Sequence, residues 1–144
     1  MNIVQNGRPA KILLVEDNPG DVRLILEEFK DSKLDNHLDV VGDGVEAMDY
    51  LTNKGAWKSA PRPDLILLDL NLPRKSGQEV LQELKDNNEL KKIPVVILTS
   101  LSAEGFLFSK TSKIVPEGFL TKPLKIQELT DILKSLSGHN FGVE

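Results

Sequence analysis

A chain of 144 residues, 40% apolar and 28% charged, is sized and composed for one soluble globular domain. Its formal charge of −4, with no block of Lys or Arg, argues against nucleic acid as a main partner, and the lack of cysteine excludes disulfides, thiolate metal sites and cysteine nucleophiles. No apolar stretch approaches membrane-spanning length and Met1 to Pro9 is not a signal peptide, so no membrane partner is expected and a cytoplasmic setting is the default.

Residues 1–10 read as a tail. The first apolar run, Lys11 to Val15, shows no alternation, the pattern of a strand buried on both faces, and it ends in Glu16-Asp17. Asn18-Pro19 then reads as an N-cap with proline at the first helical position, and Val22, Ile25, Leu26 and Phe29 follow at the spacing of one buried helix face. Leu38 to Val41 is a short second strand, turning through Gly42-Asp43-Gly44 into a helix that carries Val45, Met48 and Leu51. A long connection, Thr52 to Pro63, holds the single tryptophan, Trp57, whose expected role is to pack that loop onto the domain.

The third strand, Leu65 to Leu68, ends in Asp69, and Ser76-Gly77 opens a helix with Val80, Leu81 and Leu84. The fourth strand, Val95 to Leu98, ends in Thr99. The segment Ala103 to Lys113 contains Gly105, Ser109, Thr111 and Ser112, all poor helix formers, so a short or mobile helix is expected before Pro116. Gly118 to Thr121 is a fifth strand ending in Lys122-Pro123. The last helix carries Ile126, Leu129, Ile132, Leu133 and Leu136, and residues 138–144, with His139, read as a frayed tail.

Alternating strands and helices predict a flavodoxin-like, doubly wound α/β domain: a five-stranded parallel sheet of order 2-1-3-4-5 with five helices. Ligands of such sheets bind beyond the carboxyl ends of the strands, where this order brings Glu16, Asp17 and Asp69 together. Each residue alone has an ordinary explanation, since an Asp after a strand is usually an N-cap and a lone Lys usually faces solvent. The inference rests on four strands presenting complementary groups at one edge. Close carboxylates repel by about 4 kcal/mol per pair at 4 Å and an effective dielectric near 20. A divalent cation relieves this. With no cysteine and only two histidines, oxygen ligands and Mg²⁺ are expected. Lys122 and Thr99 form the opposite wall, suited to phosphate oxygens, and Asp69, alone at the end of the central strand, is the candidate nucleophile.

Val15-Glu16-Asp17-Asn18, Leu67-Leu68-Asp69-Leu70-Asn71-Leu72-Pro73 with Gly77, Leu98-Thr99-Ser100 and Phe119-Leu120-Thr121-Lys122-Pro123 resemble the receiver domain of two-component response regulators. The resemblance spans about Lys11 to Ser137, which sets the expected domain at 11–137. Ala60 to Pro73 and the loop before it resemble the subset found with cyanobacterial phytochromes and related sensor kinases. This implies that Asp69 accepts a phosphoryl group from a phosphohistidine on a sensor histidine kinase. It implies that Glu16, through water, Asp17, Asp69 and the backbone carbonyl of Asn71 hold Mg²⁺. Lys122 would pair with Asp69 and then with phosphoryl oxygens, Thr99 would move onto the phosphoryl group, and Phe119 would swing inward. Lys122-Pro123 matches a bond often cis in the family.

Three departures stand out. Leu101 is apolar where many relatives carry a polar residue near the incoming water. Phe119 lacks the hydroxyl of the tyrosine in some relatives. Val115-Pro116-Glu117-Gly118 replaces a Gly-Ala type turn on the helix 4–strand 5–helix 5 face that relatives use for output or homodimerisation. Because only residues 138–144 follow the expected domain, the expected output is contact with a downstream protein or phosphorelay partner.

Two other readings are set aside. Gly42-x-Gly44-x-x-Ala47 formally matches a dinucleotide fingerprint, but Asp43 and Glu46 put negative charge where pyrophosphate would sit. A Mg²⁺-dependent phosphohydrolase with an aspartyl-phosphate would need a second acid two residues after Asp69, where Asn71 stands. The expectation is therefore a switch that assists its own phosphotransfer and dephosphorylation, without being an enzyme for an outside substrate.

Overall fold

The computed structural model describes residues 1–100 and 114–144. The expected helix over 103–113, and Leu101, lie outside the described residues. Strands are β1 (Ile3–Gln5), β2 (Arg8–Pro9), β3 (Ile12–Val15), β4 (Leu38–Val41), β5 (Leu65–Asp69), β6 (Val95–Thr99), β7 (Gly118–Thr121) and β8 (Phe141–Val143). The described helices are α1 (Pro19–Asp31), α2 (Gly44–Leu51), α3 (Gly77–Asp86) and α4 (Ile126–Ser135). Strands β3 to β7 form a parallel sheet of order β4-β3-β5-β6-β7, which is the expected 2-1-3-4-5 pattern.

Side chains alternate between the two faces of that sheet, and both faces are buried, so the strands need no polar face. Leu13, Val15, Ile66, Leu68, Val95 and Ile97 join α2 and α3 residues in one apolar cluster. Ile12, Leu14, Leu65, Leu67, Val96 and Leu98 join α1 and α4 residues in the other. The α3 stripe of Val80, Leu81 and Leu84 is buried as expected. On α1, Ile25 and Phe29 are buried but Leu26 is 43% exposed. On α2, Leu51 is buried and Met48 packs against the cluster as expected, but the buried positions also include Gly44, Ala47 and Tyr50, while Val45 is only half-buried. The small residues there reflect close approach: a Cβ on Gly44 would sit 2.1 Å from the carbonyl oxygen of Lys75. This packing, with Asp43 as N-cap, accounts for the Gly42-x-Gly44 pattern.

The terminal stretches expected as tails carry strands. β1 pairs antiparallel with β2 and with β8, making a second sheet of order β2-β1-β8. Asn36 fastens it beside the start of β4, accepting from Ile3 N at 2.7 Å and donating to the carbonyls of Ile3 and Ala10, both at 2.8 Å. His139 stacks on Phe141 with ring centroids 6.1 Å apart, so the C-terminal stretch is held and not frayed. The long connection also packs inward. The Trp57 ring lies 5.0 Å from that of Tyr50, and its indole N–H donates to Glu46 at 3.3 Å.

Candidate functional site

The carboxyl edge of the main sheet gathers the predicted residues. Glu16 directly follows β3 and its N–H donates to the Val41 carbonyl at 3.0 Å, which fixes the chain as it leaves the sheet. The Glu16 side chain is fully buried and accepts from Asn18 N at 3.2 Å. Asp17 is exposed at the mouth, and Asn18 caps α1 by accepting from Asp21 N at 3.0 Å.

Asp69 ends β5 with its side chain 8% exposed. The Asn71 N–H donates to its Oδ1 at 3.1 Å, holding the carboxylate against the following loop. That loop folds back closely enough for Gly77 N to reach the Leu70 carbonyl at 3.0 Å. A Cβ on Gly77 would lie 2.3 Å from the Asp69 carbonyl oxygen, so this glycine is required by close approach.

Thr99 ends β6 and is buried at 3% exposure. Its carbonyl accepts from Lys122 N at 2.8 Å, which ties the ends of β6 and β7 together, and the Lys122-Pro123 bond is cis, as expected. Phe119 is half-buried in β7 and packs against the cluster on the α2–α3 face.

The Lys122 ammonium meets three carboxylates. It contacts Glu16 closely, Asp21 at 2.9 Å and Asp69 at 3.3 Å. Burial works against its charge, but the hydrogen bonds to Glu16 and Asp21 and the charge of Asp69 outweigh it, so its pKa is raised. Burial pushes the Glu16 carboxyl up to about 7; Lys122 opposes this and Asp69 adds to it. One cation is thus too few for the acids around it.

Asp21 is the site residue that sequence reasoning missed. An acid in the first turn reads as a partner of the helix dipole, and nothing local predicts that its carboxylate reaches Lys122. Glu117 was also unforeseen. It accepts from Val95 N at 2.7 Å and pairs with Lys85 at 3.0 Å, bracing the start of β7 against β6 and α3.

The donor set suits a hard divalent cation. One carboxylate oxygen from each of Glu16, Asp17 and Asp69 lies within 4.8 Å of the others, all are oxygen donors, and Asp17 leaves the site open to water.

The sequence model of the response regulator receiver domain matches residues 12–134, and the chain belongs to that family. It is 43% identical over 134 residues to Response regulator Rcp1 of Synechocystis sp., covering 93% of this chain and 88% of that protein. The Mn(2+)-bound crystal form of Rcp1 superposes with a TM-score of 0.71, at 88% and 90% coverage of the two chains. The bacteriophytochrome response regulator AtBRR matches with a TM-score of 0.85 at 36% identity, covering 94% of this chain and 96% of that one. The phosphorylated cyanobacterial phytochrome response regulator RcpA matches with a TM-score of 0.69 at 45% identity, covering 87% and 89%. The chain is therefore a two-component receiver and a signalling component, and the phosphohydrolase reading is not favoured. Among the described residues, no helix is long and apolar enough to cross a membrane.

Proposed function

We propose that Asp69 is the phosphoacceptor of this receiver, taking a phosphoryl group from a phosphohistidine of a sensor histidine kinase of phytochrome type. One Asp69 carboxylate oxygen forms the bond to phosphorus while the P–N bond breaks, its electron pair returning to the imidazole, which takes up a proton. Glu16, Asp17, Asp69 and the Asn71 carbonyl would hold Mg²⁺. When bound, Mg²⁺ offsets the carboxylate charge and the negative charge of the phosphoryl oxygens.

The chain's own residues supply the rest. Lys122, already within 3.3 Å of Asp69, transfers its ammonium to a phosphoryl oxygen. The Thr99 hydroxyl moves onto a second oxygen, and Phe119 turns into the space released. The new charge at Asp69 thereby biases two packings of the β6–β7 end, which a downstream protein, a phosphorelay partner or a second copy of the chain reads at the face that carries β7 and α4. The supporting observation is the convergence of three carboxylates and one ammonium from the ends of three strands, β3, β5 and β7.

The test is incubation with Mg²⁺ and acetyl phosphate, followed by intact-mass and peptide mass spectrometry. The expected result is one acid-stable, base-labile phosphoryl group on Asp69, lost in Asp69→Asn. Equal labelling of Asp69→Asn would refute the assignment. Lys122→Ala is expected to retain metal binding while losing much of the phosphorylation response.

A further inference from the structure

We infer that Asp21 is a positioning residue that holds the Lys122 ammonium back from Asp69 in the resting protein and so resists its transfer to a phosphoryl group. This rests on the phosphoacceptor reading above. An ammonium has three protons to donate and here meets three carboxylates, so its capacity is filled before any phosphoryl group arrives. It sits closer to Asp21, at 2.9 Å, than to Asp69, at 3.3 Å.

The three acceptors are not equivalent. Glu16 and Asp69 belong to the cluster that could share a cation, and Asp21 does not. With a cation bound, the charges of Glu16 and Asp69 are offset, and Asp21 is the carboxylate left competing for Lys122. A helix-dipole role alone does not account for this geometry. The Asp21 backbone N–H is already capped by Asn18, while its carboxylate bonds a side chain 101 positions away. The pair is only partly open to water, with side-chain exposures of 34% for Asp21 and 13% for Lys122, so solvent weakens it less than a surface pair.

Two measurements test this on the full chain, using the parent, Asp21→Asn, Asp21→Glu, Lys122→Ala and the Asp21→Asn/Lys122→Ala double variant. The first is the ¹⁵N resonance of the Lys122 side chain in metal-free protein, which does not depend on phosphorylation. Asp21→Asn is expected to move it, and Asp21→Glu to return it toward the parent position. The second is phosphorylation by acetyl phosphate with Mg²⁺. Asp21→Asn is expected to raise the steady-state phosphorylated-to-free ratio about two- to fivefold, the range of a partly exposed ion pair, with Asp21→Glu near the parent.

In the Lys122→Ala background the same substitution is expected to do nothing. An unmoved Lys122 resonance, or an equal gain with and without Lys122, would overturn the inference. The latter would mean simple charge repulsion by Asp21. Failure of the parent to label at Asp69 would instead refute the phosphoacceptor reading and with it the phosphoryl half of this one, the resonance alone then deciding the resting contact.

Discussion

At the carboxyl edge of the main sheet, buried polar groups crowd together: Glu16, Asp69 and Thr99, with Lys122 against the acids. Beside the amino ends of β3 and β4, the chain termini instead close a small antiparallel sheet over Ile3, Ala10 and Phe141, all buried in the α1–α4 cluster. The first region keeps like charges near one another, which costs stability in the absence of a cation. The second adds apolar burial and satisfied backbone bonds. Stability and function are thus assigned to opposite ends of the same strands.

The largest effect should come from weakening the stabilising end. Phe141→Ala is expected to cost about 3 kcal/mol in urea unfolding, with metal affinity unchanged. A loss below about 0.5 kcal/mol would mean that the terminal sheet adds little. Gly77→Ala forces a methyl group against the Asp69 carbonyl and is expected to cost about 1–3 kcal/mol while also weakening metal binding, since the same backbone carries the carboxylate. Asp69→Asn should do the reverse at the other end, raising metal-free stability at pH 8 by about 1–2 kcal/mol. In saturating Mg²⁺ the gain should vanish or change sign, because a ligand has been lost.

A pH titration sharpens the same contrast. The Glu16 pKa is raised in the folded protein from 4.5 to about 7, so the folded state favours its neutral form. The stability this group contributes is complete below pH 4.5 and is lost as pH rises through 7. Mg²⁺ needs the charged form, so affinity by calorimetry should rise about tenfold from pH 6 to pH 8. Glu16→Gln should flatten that rise. The smallest effect is expected from Glu117→Gln, which loses the Lys85 ion pair but keeps an acceptor for Val95 N, at about 1 kcal/mol.

The two regions also differ in how well they could be read before the structure was known. The site edge was legible because each central strand is an uninterrupted apolar run ending in a polar group, and the order 2-1-3-4-5 puts those ends together. The terminal sheet was not. Its strands are two or three residues long, with sequences such as RP and FGV, too short for any periodicity to emerge. The α2 face was only partly legible because Gly44 and Ala47 are buried as small residues, Gly44 against the Lys75 backbone, and a search for large apolar residues passes over them. Asp21 was missed for a different reason: its role depends on a partner brought in from β7, and first-turn acids are common without one.

The most direct measurement is an anomalous difference map from crystals grown with Mn²⁺ as a substitute for Mg²⁺. The account predicts a single strong peak at the carboxyl edge, bounded by oxygens of Asp17 and Asp69 and facing the Lys122 ammonium. A map with its peak elsewhere, or with Asp17 and Asp69 clear of any ion, would contradict it.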